Sequence, residues 1–482
     1  MKILSLLLVF FGYMLFSTAN WIPRKFGEVS YEQIIFHLNV PLDTEIKLVY
    51  SYLQNTLLMS SIITVILYFV ARKISPAKCL GFAAVFFLFS LVASYHKMDV
   101  SRIISEYHSR GVMGDLYEKN YTDTQFVKIT PPAQKRNLIM IFAESMDVSY
   151  ANPDYFGVNL IPELQEIAQN NISFSHTEGF GGFSNIIGAN YTQASLVSQL
   201  CAVPLKLPFD ARRYHPTNGF LPGATCLPDI LAKEGYNQSF LNGMTREFAG
   251  TDKFIETHGK AKILDWDFYS KRDNLSPKTD PRRKRTVRDA KLFAYAKEEL
   301  AILSKQDKPF FMTLMTLDTH FGNEHFSKEN CQIKYHDAKI KDEEYFKNVV
   351  SCSSLQISAF VDWLSQQPFY ENTEIVIVGD HPTMSSTIFS KDMERPIYNV
   401  YINTVFKETP YAKNRRFTAL DTMPTILEGL GYKIDGHKLG LGVSLFSGEQ
   451  TLLEKLGLDT LNSELEKQSA IYNKLLYGKE ID

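Results

Sequence analysis

Excess charge of either sign is missing from this chain of 482 residues: 51 basic and 53 acidic side chains leave a formal net charge of −2. That balance removes any whole-chain electrostatic case for nucleic acid, which is not an expected partner. No Cys-x-x-Cys occurs among the five cysteines, so the usual spacing of a thiolate zinc site is absent. No internal repeat is present, which argues against a repeat architecture. Charge is also missing from three long apolar runs, Ile3 to Ala19, Leu57 to Ala71 and Cys79 to Ser94. Each is near the roughly 17–25 residues that cross a bilayer as a helix. Acids are missing from the turn that holds Arg72, Lys73 and Lys78. The positive-inside rule therefore puts the amino terminus and this turn in the cytoplasm, and everything after Tyr95 outside. Ser17-Thr18-Ala19 is rich in small residues, so a cleaved signal peptide is the alternative for the first run.

The cysteines fit that export. Cys79 lies in a span, and Cys201, Cys226, Cys331 and Cys352 lie beyond it. An even number in an oxidising compartment suits two disulfides, and sequence proximity favours Cys201 with Cys226 and Cys331 with Cys352. The chain divides into a membrane region at 1–96, a juxtamembrane connector at 97–135, an exported domain at 136–448 and a helical tail at 449–482. A helix is expected between Val100 and Tyr117. The basic run Pro281-Arg282-Arg283-Lys284-Arg285 reads as a solvated loop or a phosphate contact. In the exported part, strands alternate with helical patterns at Pro162–Gln169, Leu227–Glu234, Val287–Ser304 and Leu355–Ser365. This predicts an α/β fold with a doubly wound, mostly parallel sheet.

Three apolar strands end in side chains that can bind a metal. Glu374 to Gly379 runs into Asp380-His381, Asn137 to Ala143 into Glu144, and Phe310 to Leu317 into Asp318-Thr319-His320. Open α/β sheets collect such residues at their carboxyl edge, so one site is expected. Between Gly179 and Gln199 a stretch rich in Gly, Ser, Asn and Thr turns helical at Thr192. A hydroxyl there faces the positive end of a helix, which favours an alkoxide and a bound phosphoryl group. Taken alone, Thr192 reads as an ordinary helix cap.

Asn137 to Ser145, Thr192 to Leu205, Cys226 to Leu231, Gly243 to Phe254, Asp318-Thr319-His320, Val350 to Ser353, Gly379-Asp380-His381 and Asp421 to Leu427 occur in that order. Together they resemble the alkaline-phosphatase/sulfatase superfamily. More narrowly, they resemble the membrane-anchored phosphoglycerol transferases of periplasmic glucans and the lipoteichoic acid synthases. The resemblance implies Glu144, Thr192, Asp380 and His381 as ligands of one divalent ion, zinc or manganese, with Thr192 as nucleophile. It implies that His320 contacts phosphate and protonates a leaving group, and that Arg246 and His258 bind substrate. A surface ion pair is the plainer reading of Arg246, and a packing role that of His258.

The implied reaction moves a phosphoglycerol or phosphoethanolamine group from a phospholipid donor to a glycan or lipopolysaccharide acceptor, through a phospho-threonine. The implied location is the bacterial inner membrane, multi-pass, with the catalytic domain in the periplasm. Hydrolysis by the same site and a non-catalytic lipid-binding regulator are the alternatives. Ala202 and Val443 depart from the pattern: relatives carry glycine after the cysteine and a charged residue before the Ser-Leu pair. No Cys/Ser-x-Pro-x-Arg motif occurs at the nucleophile, which argues against sulfate ester hydrolysis.

Overall fold

The structure of the protein, a computed structural model, describes residues 1–26, 31, 34, 46–206, 219–276, 285–322, 324–334, 343–383, 389 and 393–478. The basic run at 281–284 lies outside them. Two compact units are present, Met1–Gly111 with Met384–Met393, and Val112–Thr383 with Glu394–Asp482. This division passes through the segment 97–135.

The first unit holds three helices long and apolar enough to cross a membrane, Lys2–Arg24, Val49–Ala71 and Pro76–Lys97. Polar pairs at one end fasten the first to the second. Trp21 Nε1 donates to Ser51 Oγ at 3.2 Å, and the hydroxyls of Thr18 and Tyr52 lie 3.2 Å apart. The third begins at Pro76, a residue suited to a first helical turn because its missing N–H is not needed there. The single helix expected between Val100 and Tyr117 is two, Val100–Ser109 and Leu116–Asn120. Gly111 and Gly114 fall in the break, where each would weaken a helix by about 1 kcal/mol.

The second unit is built on six strands: β1 (Asn137–Ala143), β2 (Asn237–Asn242), β3 (Lys262–Leu264), β4 (Phe310–Met315), β5 (Thr373–Gly379) and β6 (Asn399–Ile402). Their order is β3-β2-β4-β1-β5-β6, parallel except for β6. Every residue of β1, β4, β5 and β6 is buried, as continuous apolar runs in a doubly covered sheet require. Each apolar side chain of β1 contributes about 1.5–3 kcal/mol by leaving water. In register, Ala143 pairs with Gly379 and Phe142 with Met315, so β1, β4 and β5 end level at one edge.

Helices α1 (Pro162–Asn170), α2 (Thr192–Cys201), α3 (Leu227–Lys233), α4 (Asp289–Leu303), α5 (Glu343–Ser365) and α6 (Thr422–Gly429) fall between or after the strands. The tail forms three helices, α7 (Leu452–Leu456), α8 (Leu458–Glu466) and α9 (Ala470–Tyr477), within this same unit. Tyr472 of α9 accepts from Lys206 N at 2.6 Å and donates to Pro204 O at 2.9 Å, just beyond α2. Disulfides join Cys201 to Cys226 and Cys331 to Cys352.

Candidate active site

The site forms where β1 and β5 stop. Gly379 ends β5 against the Met146 carbonyl; a Cβ there would lie 2.0 Å from that oxygen, so only glycine fits. After β1, Ser145 turns the chain with φ +53°. This turn aims the Ser145 N–H at Asp380 Oδ1, 2.7 Å away, and the His381 N–H reaches the same oxygen at 2.7 Å. Ser145 Oγ donates to Glu144 Oε1 at 2.6 Å. Thr319 Oγ1 donates to the Glu144 carbonyl at 2.5 Å, and Thr316 Oγ1 accepts from Glu144 N at 2.9 Å. Side chains of Ser145, Thr316 and Thr319 thereby fix Glu144, and two backbone N–H groups fix Asp380.

His381 Nδ1 lies 2.9 Å from the Pro382 carbonyl, an arrangement that puts the ring proton on Nδ1 and leaves Nε2 with a lone pair. Nε2 stands 3.1 Å from Thr192 Oγ1, 3.3 Å from Asp380 Oδ2 and 3.9 Å from Glu144 Oε1. Thr192 is the first residue of α2. The structure therefore brings Glu144, Thr192, Asp380 and His381 together from three elements.

Two acids buried side by side repel. Burial, with Asp380 adding to it, pushes the Glu144 carboxyl up to about 8. Asp380 Oδ2 is buried and accepts no hydrogen bond. Ligand atoms of Glu144, Asp380 and His381 all lie within 4.8 Å of one another. Two carboxylates, an imidazole and an unspent buried oxygen are a donor set that fits a divalent cation.

The other expected residues stand apart from this cluster in different ways. His320 follows β4 at the same sheet edge; its Nδ1 lies 3.0 Å from the Phe321 carbonyl and its ring meets Phe248 edge-on. Phe248 and Thr251 share one short segment, and Thr251 Oγ1 lies 3.1 Å from Gln193 Oε1, beside Thr192. Arg246 forks onto Asp265, at 3.4 and 3.3 Å, with its guanidinium partly exposed. His258 is buried with both nitrogens engaged, Nδ1 to Asp229 Oδ2 and Nε2 to Phe220 O, each at 2.7 Å. A ring saturated in this way has no atom left for substrate, so the geometry gives His258 a packing role. Asp318, a strand-end candidate, turns to Asp289 and Arg288, and burial raises the carboxyls of both acids.

Sequence reasoning missed Ser145, Thr316, Ser195 and Gln199. The last two are fully buried polar side chains at three and seven residues after Thr192. That spacing marks one helical face, and it was the available signal.

The model of the Sulfatase family matches residues 136–432. The chain belongs to the Sulfatase family. Among its curated relatives is phosphoglycerol transferase I of Escherichia coli (strain 55989 / EAEC), 29% identical over 326 residues, which cover 66% of this chain and 40% of that protein. Phosphoglycerol transferase I of Salmonella arizonae is 30% identical over 325 residues. The chain thus spans well under half the length of these relatives. Among solved structures, the lipooligosaccharide phosphoethanolamine transferase A of Neisseria meningitidis aligns with a TM-score of 0.52 at 14% identity, over 90% of this chain and 84% of that one. The lipoteichoic acid synthase LtaP of Listeria monocytogenes gives 0.51 at 16% identity, over 69% and 81%. These structures share the Sulfatase-family fold.

Proposed function

We propose that the chain is a metal-dependent, membrane-anchored transferase of phospho-alcohol groups. The observation that carries this reading is the Thr192 hydroxyl 3.1 Å from His381 Nε2, among two buried carboxylates. Glu144, Thr192, Asp380 and His381 would hold one zinc or manganese ion. Such an ion supplies positive charge that lowers a hydroxyl pKa and neutralises a phosphoryl group. Thr192 Oγ gives up its proton to solvent and attacks the phosphorus of a phospholipid diester. The bond to the diacylglycerol oxygen breaks, and that oxygen takes a proton, for which His320 is the candidate donor. A glycan or lipopolysaccharide hydroxyl then attacks the phospho-threonine and passes its proton to the deprotonated His320, and the Thr192 oxygen leaves and takes a proton back from solvent. The N–H groups at the start of α2 face the same phosphoryl oxygens.

The transferred group is phosphoglycerol or phosphoethanolamine, in keeping with the names of the relatives. The three apolar helices would cross the inner membrane with the second unit in the periplasm, as the basic turn at Arg72–Lys78 argues. The catalytic domain at 136–448 would then work on a donor that stays in the bilayer. The test is head-group transfer from labelled phospholipid by purified protein, with and without glycan. Release of free phospho-alcohol at the same rate in both arms would replace transfer by hydrolysis.

A further inference from the structure

Ser195 and Gln199 connect the helix that begins at Thr192 to the backbone that presents Asp380 and His381. Ser195 Oγ donates to the Asp380 carbonyl at 2.6 Å. Gln199 Nε2 donates to Ser195 Oγ at 2.9 Å and to the Gly379 carbonyl at 3.1 Å. Both residues are fully buried. The protons balance: one hydroxyl hydrogen and two amide hydrogens meet three acceptors. Residues three and seven positions along a helix share the face of the first. The face of α2 that carries Thr192 is therefore stitched to the end of β5 by two bonds in the buried interior, with the third tying Gln199 to Ser195 within the helix.

Polar groups are costly to bury, and here each spends its hydrogen on one object, the two carbonyls just before His381. Apolar packing alone would let α2 slide along β5. The stitch fixes its rise and its roll, and so the distance from Thr192 Oγ1 to the cluster. We infer that Ser195 and Gln199 are positioning residues that hold the Thr192 hydroxyl in register with Asp380 and His381. This rests on Thr192 being the attacking group.

Ser198 is a built-in control. It is equally buried on the same helix, and its hydroxyl donates to the Gly188 carbonyl at 3.0 Å, away from β5. The experiment compares Ser195→Ala, Gln199→Ala, Ser195→Thr, Ser198→Ala and Thr192→Ala in the full chain. It reads turnover and hydrogen–deuterium exchange of the segment 379–383. Ser195→Ala and Gln199→Ala should lower kcat about 10- to 100-fold, the scale of a small misplacement of a reacting group. KM should stay within about twofold, exchange at 379–383 should speed up, and Ser195→Thr should restore both readouts. Ser198→Ala should melt at a lower temperature with kcat and exchange at 379–383 unchanged.

Equal loss of kcat in Ser198→Ala and Ser195→Ala would overturn the inference. So would unaltered exchange at 379–383 in Ser195→Ala and Gln199→Ala. Full turnover in Thr192→Ala would instead remove the covalent reading. The exchange arm would still decide whether the stitch holds the end of β5.

Discussion

Two clusters in the second unit each bring three potential metal ligands within 4.8 Å: Glu144 with Asp380 and His381, and Cys201 with Cys226 and His258. All six residues are buried. In the second cluster every valence is spent. The sulfurs are bonded to each other, and both His258 nitrogens are taken by Asp229 and Phe220. In the first, Asp380 Oδ2 accepts nothing, two acids crowd one another, and a hydroxyl stands at the imidazole. Closeness of the right residue types is common to both. Unspent lone pairs, at a cost in folding free energy, separate a reactive site from a structural knot.

The largest effect should come from Thr192→Ala, which is expected to lower transfer by roughly three orders of magnitude or more without unfolding the chain. Full transfer by this variant, in the labelled-lipid assay, would erase the contrast. Asp380→Ala or His381→Ala should lose bound zinc or manganese by elemental analysis, whereas His258→Leu should keep it. Metal content that falls with His258 and not with His381 would reverse the roles of the clusters.

Removing both Cys201 and Cys226 by alanine should cost about 3 kcal/mol in a urea melt, because the bond closes a 25-residue loop, with metal content unchanged. His258→Leu should cost about 1–3 kcal/mol by removing the buried hydrogen bonds to Asp229 and to the Phe220 carbonyl, with KM unmoved. The smallest expected effect is a gain. Ala202, just past α2, has φ +54°, a left-handed conformation that costs a residue with a Cβ about 1–2 kcal/mol. Ala202→Gly should raise stability by about 0.5–1 kcal/mol in the same melt, after the greater chain entropy of glycine is offset.

Much of the fold was legible because it follows from periodicity. Asn137–Ala143 was read residue for residue, and the three long apolar helices were each found, although the second starts at Val49 where the reading began at Leu57. The strand through Glu374 ends at Gly379 as read, while the one from Phe310 stops at Met315, short of Leu317. There the backbone leaves the ladder so that side chains such as Thr316 can turn inward to Glu144. The helix read from Leu355 begins at Glu343. Its first half buries Asn348, Ser351, Ser353 and Ser354, and polar residues in a buried face erase the apolar pattern. The convergence of Glu144, Asp380 and His381 was visible as strand ends. The saturation of His258 and the stitch through Ser195 and Gln199 were not, since hydrogen-bond partners 29 to 185 residues away leave no local trace.

The bond between Cys201 and Cys226 grips the last residue of α2. Until it closes, the far end of the helix that begins at Thr192 hangs on reversible contacts alone. Once closed, it ties that end covalently to the start of α3.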